Sequence, residues 1–357
     1  MRFVHIADTH LDINFKNLSS IDGLPEKRRL EQRKIMKDII EYIKTNNIQF
    51  LFISGDLYEQ QYIRKSSIQY INRLFNEIPN VKIFISPGNH DPFIKNSFYN
   101  TFQWSSNVHI FKNNIEKVEI GDINIYGYGF NDYYCKESNI ENIEIENKDK
   151  INILVAHGSV DGGNDEYREY NPMSSKKLKP SGFDYVALGH IHKKTYNDEK
   201  NQRIVYPGST ISFGFDELGE HGMVVGDIDK ENLNLEFVKL DSREYKEFNL
   251  DISECVSNED ILEKIEEINF NENNLYKIIL IGNRNFIIDT IEIKKLLSKD
   301  NIIKIKDNTK VAYNINDIIL KNDIKGIFAK KVMEKYESGL IDKETMEKVI
   351  ETGLEVL

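Results

Sequence analysis

The chain has 357 residues, enough for about two domains of roughly 150 residues each. Its composition, 40% hydrophobic and 29% charged, is that of a folded water-soluble protein, with no apolar run near the ~18 residues of a membrane helix. A net charge of −11 argues against a broad basic surface for gripping nucleic acid, since phosphate neutralisation normally supplies that affinity.

The opening residues, MRFVHIAD, read as a strand with no charged-then-apolar leader. Cys135 and Cys255 are far apart and lack metal-type spacing. A cytoplasmic protein with free thiols is expected.

In chain order, FVHIAD is a strand ending at Asp8-Thr9-His10. A helix follows over Glu26 to Thr45, its apolar positions supplied by Leu30, Ile35, Ile39, Ile40 and Ile43. IQFLFISGD is a buried strand ending at Gly55-Asp56, and a second helix covers Lys65 to Asn76. VKIFISPGNHDP ends at Gly88-Asn89-His90-Asp91, INILVAHGS at His157, and YVALGHIHKK at His190 and His192. Strand side chains alternate faces, so His190 and His192 point the same way. Strands alternating with helices imply parallel βαβ units, whose ligand crevice lies beyond the carboxyl ends of the strands. Every polar cluster named here falls at that edge.

Each signal alone has a bland alternative: Gly-Asp is a turn, Asp-x-His is common, and a lone histidine after a strand is ordinarily core. Five strands in one chain, each ending in Asp, Asn or His, are hard to explain as five independent turns. Imidazole with carboxylate and no thiolate suits Mn, Fe or Zn. Asp8, His10, Asp56, Asn89, His157, His190 and His192 outnumber the three or so protein ligands of a catalytic zinc, so two ions bridged by one carboxylate are expected.

These motifs resemble the calcineurin-like metallophosphoesterases. Within that superfamily HIADTHLD, ISGDLYE, SPGNHD, VAHGS, ALGHIHK and VYPGST are most similar to the SbcD-type DNA-repair nucleases, with similarity weakening after about residue 245. The resemblance implies one metal between Asp8, His10, Asp56 and His192, and a second held by Asp56, Asn89, His157 and His190. It makes His90 a proton or hydrogen-bond donor, with Asp91 orienting it, and Ser209 of YPGST a substrate contact. Glu59 stands where many of these nucleases carry a histidine that handles the scissile phosphate, so it is placed on the substrate side, and cleavage polarity is left open. His5, His109 and His221 lie outside the motifs. Arg28, Arg29 and Arg33 are read as a solvated helix surface rather than DNA contacts.

The expected fold is α/β (α+β), a sandwich of two mixed sheets flanked by helices over residues 1–245. GMVVGDI and LNLEFVKL are expected to close its second sheet. A small α+β capping domain would follow at 246–321, then a helical hairpin at 322–357 whose inner face includes Ile324, Ile327, Phe328, Val332 and Tyr336. The implied function is a DNA nuclease using two divalent ions, Mn²⁺ favoured. Its partners would be DNA and a coiled-coil ABC ATPase gripped by the hairpin, with a homodimer allowed. Alternatives are a phosphodiesterase for small or cyclic nucleotides and a non-catalytic ATPase scaffold. A phosphoprotein phosphatase is disfavoured, because Leu57, Tyr58 and Pro87 stand where phosphate-holding arginines would be.

Overall fold

The computed structural model describes residues 1–19, 21–138, 140, 143–162, 170–195, 202–311 and 315–357. The chain divides into two compact units, Met1–Tyr245 and Lys246–Leu357.

The first unit begins with strand β1 (Arg2–Ile6), helix α1 (Leu24–Thr45), β2 (Phe50–Ile53), α2 (Lys65–Asn76), β3 (Lys82–Ile85), a short α3 (Phe98–Thr101) and β4 (Val108–Ile110). It continues through β5 (Glu116–Ile120), β6 (Ile123–Gly127), β7 (Ile151–His157), α4 (Ser175–Leu178), β8 (Tyr185–Gly189), β9 (Ile204–Val205), β10 (Gly222–Ile228) and β11 (Leu233–Lys239). One sheet has the order β11-β10-β1-β2-β3-β4 and the other β5-β6-β7-β8-β9. Both are mixed: β1 to β4 run parallel and β10 antiparallel to β1, while β6 to β9 run parallel and β5 antiparallel to β6.

Here the fold corrects one expectation. The closing strands β10 and β11 extend the first sheet, not the second, with Arg2 opposite Asp227 and His5 opposite Val224. The amino-terminal strand needs a partner on its outer side, and the antiparallel hairpin satisfies those backbone groups.

Phe3, Phe50, Phe52 and Phe84 of the first sheet meet Ile153, Val155, Tyr185 and Ala187 of the second in one buried core. Burying each large side chain is worth about 1.5–3 kcal/mol. Polar bonds pin the layers together: His5 Nδ1 lies 2.9 Å from the Tyr185 hydroxyl, and Ser54 Oγ donates to the Ala187 carbonyl at 2.9 Å. The apolar stripe of α1 runs through Ile35, Met36, Ile39, Ile40 and Ile43, but Leu30, expected among them, is 67% exposed. Arg28, expected on the surface, is buried and forms a bidentate pair with Asp241 at 2.8 and 3.3 Å.

The second unit contains β12 (Tyr245–Asp251), α5 (Asn258–Glu267), β13 (Leu275–Ile281), β14 (Asn283–Arg284), α6 (Thr290–Leu296), β15 (Ile302–Asp307), β16 (Lys310–Val311), α7 (Ile315–Ile319), α8 (Ile324–Glu337) and α9 (Lys343–Val356). A three-stranded sheet, β12-β13-β15, packs Ile278, Leu280 and Ile302 against Ile261 and Ile265 of α5. In the hairpin, Asp323 and Asp342 cap their helices by accepting from Gly326 N (2.9 Å) and Thr345 N (2.7 Å). Val332, Met346, Ile350 and Leu354 form its core, joined by Phe328 and Tyr336. Ile324 and Ile327, expected inside, are 64% and 54% exposed. The inner face instead runs through Gly326, Ala329 and Val332. A Cβ on Gly326 would lie 2.0 Å from the Lys321 carbonyl, so the bare backbone packs there and turns the isoleucines outward.

The sheets are in tight contact at Gly189, where a Cβ would lie 1.9 Å from the Ser54 carbonyl. Gly189→Ala is therefore expected to lower stability by about 1–3 kcal/mol, as overpacking does. An unchanged urea midpoint would show that the layers have slack at that point.

Candidate metal centre

Five parallel strands deliver the chemistry to one edge. Asp8 and His10 follow β1, Asp56 follows β2, and Asn89 to Asp91 follow β3; His157 ends β7, and His190 and His192 follow β8. Asp8, His10, Asp56 and His190 have φ of 50°, 46°, 51° and 102°, a left-handed backbone that costs L-residues energy. Such strain gathers where the surroundings over-determine it, chiefly at functional sites.

Ligand atoms of Asp8, His10 and His192 lie within 4.8 Å of one another, as do those of His10, Asp56 and His90, and those of Asp8, Asp56 and His157. Asn89 Oδ1 is 2.9 Å from His157 Nε2. His190 stands outside these three groups, its ring centroid 5.2 Å from that of His157, while its backbone N–H donates to Asp8 at 2.9 Å.

The hydrogen bonds reveal what the cluster is built to hold. His10 Nδ1 lies 2.7 Å from Glu59 and His192 Nδ1 2.6 Å from Glu217. Carboxylates only accept, so each Nδ1 carries the proton and each Nε2 of the neutral ring presents a lone pair. Those two Nε2 atoms face each other at 3.1 Å. His157 repeats the pattern: Nδ1 donates to the Ser54 carbonyl at 2.9 Å, and Nε2 faces the oxygens of Asp56 (3.3 Å) and Asn89 (2.9 Å). Groups converging in this way need a proton or a metal cation between them, and imidazoles anchored by carboxylates or carbonyls are the usual orientation of metal-binding histidines. The donor set therefore fits divalent metal.

Protonation in the ion-free chain carries the same information. Burial opposes charge on His192, but the Glu217 hydrogen bond and the Asp8 charge raise it to about 9. Burial likewise opposes charge on His157, and Asp56 raises it to about 9. His190 is pushed down to about 3 by burial, then by the His157 charge, leaving a neutral donor. Asp56 is held well below the carboxylate range despite its burial, by His157 first and then His90 and His10.

Three expected roles change. Asp91 does not touch His90; its fully buried carboxyl group accepts from Asp56 N (3.1 Å), Leu57 N (2.7 Å), Gly88 N (2.7 Å) and the Tyr99 hydroxyl (2.6 Å). It fastens two strand-end loops together. Glu59 orients His90, through a 3.1 Å contact with Nδ1, while its other oxygen holds His10. Glu59 is thus engaged by two imidazoles and only 7% exposed, while still lining the small cleft beside His90. Ser209 is fully buried, its Oγ 2.8 Å from His221 Nδ1, so it braces the loop. His5, bonded to Tyr185 and Ser54, lies within the sheet interface.

Sequence reasoning missed Glu217, 25 positions beyond His192 with no motif around it. It also missed Phe213, whose ring centroid lies 5.2 Å from that of His10, and Tyr170, 4.7 Å from that of His190. Tyr133 and Tyr134 line a small cleft with His90 and Asn89.

Residues 1–194, more than half of the chain and all seven expected donors, match the family model described as calcineurin-like phosphoesterase. The uncharacterized metallophosphoesterase YhaO of Bacillus subtilis (strain 168) is 23% identical over 277 residues, covering 75% of this chain and 67% of its own. The SbcD subunit of the nuclease SbcCD from Staphylococcus saprophyticus is 25% identical over 272 residues, covering 67% of this chain and 69% of its own. A family built on divalent metals thus accounts for the facing lone pairs, and the chain belongs to it: this is a calcineurin-like phosphoesterase, a metal-dependent enzyme.

Proposed function

We propose that this phosphoesterase is a two-metal DNA nuclease of the SbcD type, using Mn²⁺ and working with a coiled-coil ABC ATPase. The observation that carries the metal chemistry is the 3.1 Å approach of the His10 and His192 Nε2 atoms beside the buried Asp8 and Asp56. The similarity to a nuclease subunit supports the substrate. In this reading Asp8, His10, Asp56 and His192 hold one ion, and Asp56, Asn89, His157 and His190 hold the second. Bound there, the ions lower the pKa of a water nucleophile and neutralise charge on the phosphoryl group.

The chain's own groups do the rest. His90 has a half-exposed side chain with Nδ1 fixed by Glu59, leaving its other nitrogen available to substrate. In the ion-free chain burial opposes its charge, but the Glu59 hydrogen bond and the Asp56 charge raise it to about 9. Its position beside the ligand set suits a proton or hydrogen-bond donor to the leaving oxygen. Phe213 walls one side of the imidazole cluster, its ring edge-on to those of His10 and His192.

Residues 246–321 would cap and position DNA, and 322–357 would dock the ATPase. Ile324, Ile327, Leu340, Val349 and Val356 leave the hairpin with exposed apolar surface, which suits a helix-on-helix partner. No helix among the described residues is long and apolar enough to cross a membrane, and the reading places the enzyme in the cytoplasm.

Cleavage of a DNA oligonucleotide is expected to require Mn²⁺ and to stop on chelation; turnover of only a small cyclic diester would sink the nuclease reading. His90→Ala is expected to lose about 10²–10⁴ in rate while retaining metal. Asp56→Asn is expected to lose metal as well, so equal metal content in the two variants by elemental analysis would contradict this division of roles. Removing residues 323–357 is expected to abolish ATPase capture while Mn²⁺-dependent cleavage persists; retained capture would refute the docking role.

Metal uptake should also release protons. His157 and His192 stay protonated up to about pH 9 in the ion-free chain, whereas ligation needs their lone pairs, so apparent affinity falls as pH drops below that value. The same raised values stabilise the ion-free fold below about pH 6.5, a contribution lost as pH rises through about 9. Calorimetric heats of Mn²⁺ binding that do not depend on the buffer's ionisation enthalpy would refute this linkage.

A further inference from the structure

A cleft of about 630 Å³ lies outside the imidazole cluster, walled by α1 and by the loops that leave two of the site's strands. One wall starts at Asp12, two residues after His10; the other holds Tyr62 and Arg64, just beyond Glu59. The loops are laced together where they leave the site, with Leu11 N donating to the Leu57 carbonyl at 3.0 Å and Glu59 N to the Leu11 carbonyl at 3.1 Å. Whatever occupies the cleft is therefore held in register with the ligand set.

Its charge is opposite to that of the chain. Arg29, Arg33 and Arg64 face two carboxylates, Asp12 and Glu26, in a protein of net charge −11. Asp12 is engaged within the fold, accepting from Arg64 N (3.2 Å), Ser67 Oγ (2.5 Å) and Arg33 (3.3 Å). Glu26 pairs with Arg29 as an exposed i,i+3 neighbour, an arrangement worth little and easily exchanged. Among the described residues the Arg64 guanidinium has no ion-pair partner.

The cleft is also apolar in the right places. Leu30 breaks the amphipathic pattern of α1 by standing 67% exposed, and Tyr62 is 43% exposed. Guanidinium groups beside an exposed aromatic and an aliphatic side chain suit a nucleotide strand, whose phosphates, sugars and base faces need all three. A bare phosphate would use the arginines alone.

We infer that this cleft binds the nucleic-acid strand flanking the scissile phosphate, Arg64 and Arg29 meeting backbone phosphates while Tyr62 and Leu30 take a base and sugar. The inference deepens the phosphodiesterase reading and rests on it for the scissile group. It also gives an acidic chain a local basic track leading to its catalytic edge.

The test uses the full chain and the variants Arg64→Ala and Tyr62→Ala, with Arg203→Ala, an exposed arginine elsewhere, as control. Anisotropy of a labelled single-stranded oligonucleotide is measured in chelator, where nothing is cut, over a range of salt. Initial rates with Mn²⁺ are then compared for the oligonucleotide and for bis-p-nitrophenyl phosphate, which has no flanking strand. Arg64→Ala is expected to weaken oligonucleotide binding about tenfold and to reduce the slope of log K against log salt by about 0.7. Tyr62→Ala is expected to weaken binding without altering that slope. In both variants kcat/KM for the oligonucleotide should fall about tenfold relative to that for the small diester, through KM. Variants that match Arg203→Ala in binding and in this ratio overturn the inference. If the wild type hydrolyses neither substrate, the nuclease reading fails, and the binding comparison still decides the cleft.

Discussion

Asp8 and Asp56 lie fully buried at the tips of adjacent parallel strands, and charges removed from water at that depth must be matched by cations a few ångströms away. The rest of the edge is arranged around them. His10, His157 and His192 bring imidazole to the carboxylates, and each is turned by an acceptor behind it: Glu59, the Ser54 carbonyl and Glu217. In the ion-free chain, protons on His157 and His192 supply the missing charge; both sit near 9 despite their burial, His157 through Asp56 and His192 through Glu217 and then Asp8. A divalent ion can do the same work without charging the rings. The outer acceptors then fix which nitrogen meets the metal, a role as necessary as ligation.

Holding that cluster requires two sheets to converge within contact distance at one end. Glycines permit it: a Cβ at Gly55 would overlap the His157 ring, one at Gly88 the Asp56 carboxylate, and one at Gly189 the Ser54 carbonyl. The left-handed backbone at Asp8, His10, Asp56 and His190 costs about 1–3 kcal/mol per residue. Asp91 supplies part of the offset, because its hydrogen bonds to three backbone N–H groups and Tyr99 lock the loops after β2 and β3. The aromatic core behind them keeps the strands from relaxing.

The strand ends and the first two helices were legible because apolar runs and helical periodicity are local. The Lys65–Asn76 helix agrees residue for residue, and the strand preceding each donor lies where its apolar run falls. Choices made by distant partners were not legible. Strands β10 and β11 joined the first sheet because β1, more than 200 residues earlier, needed a neighbour. Glu59 rather than Asp91 orients His90, since a turn decides which carboxylate reaches the ring. Glu217 had no motif to reveal it, and Ser209 sits in a familiar motif but faces inward. Periodicity placed Ile324 and Ile327 inside α8, but a glycine contact rotated that helix. Leu30 failed the amphipathic rule at the mouth of the arginine cleft, where an exposed apolar side chain has a use.

The central claim is that the converging imidazoles and carboxylates hold two ions that share Asp56. Anomalous diffraction from crystals grown with Mn²⁺ at about pH 7.5, below the ring values near 9, addresses this directly. Two manganese peaks flanking the Asp56 carboxylate, one beside His10 and His192 and the other beside Asn89 and His157, are predicted. A single peak, or peaks that leave the His10 and His192 Nε2 atoms facing each other unligated, would contradict it.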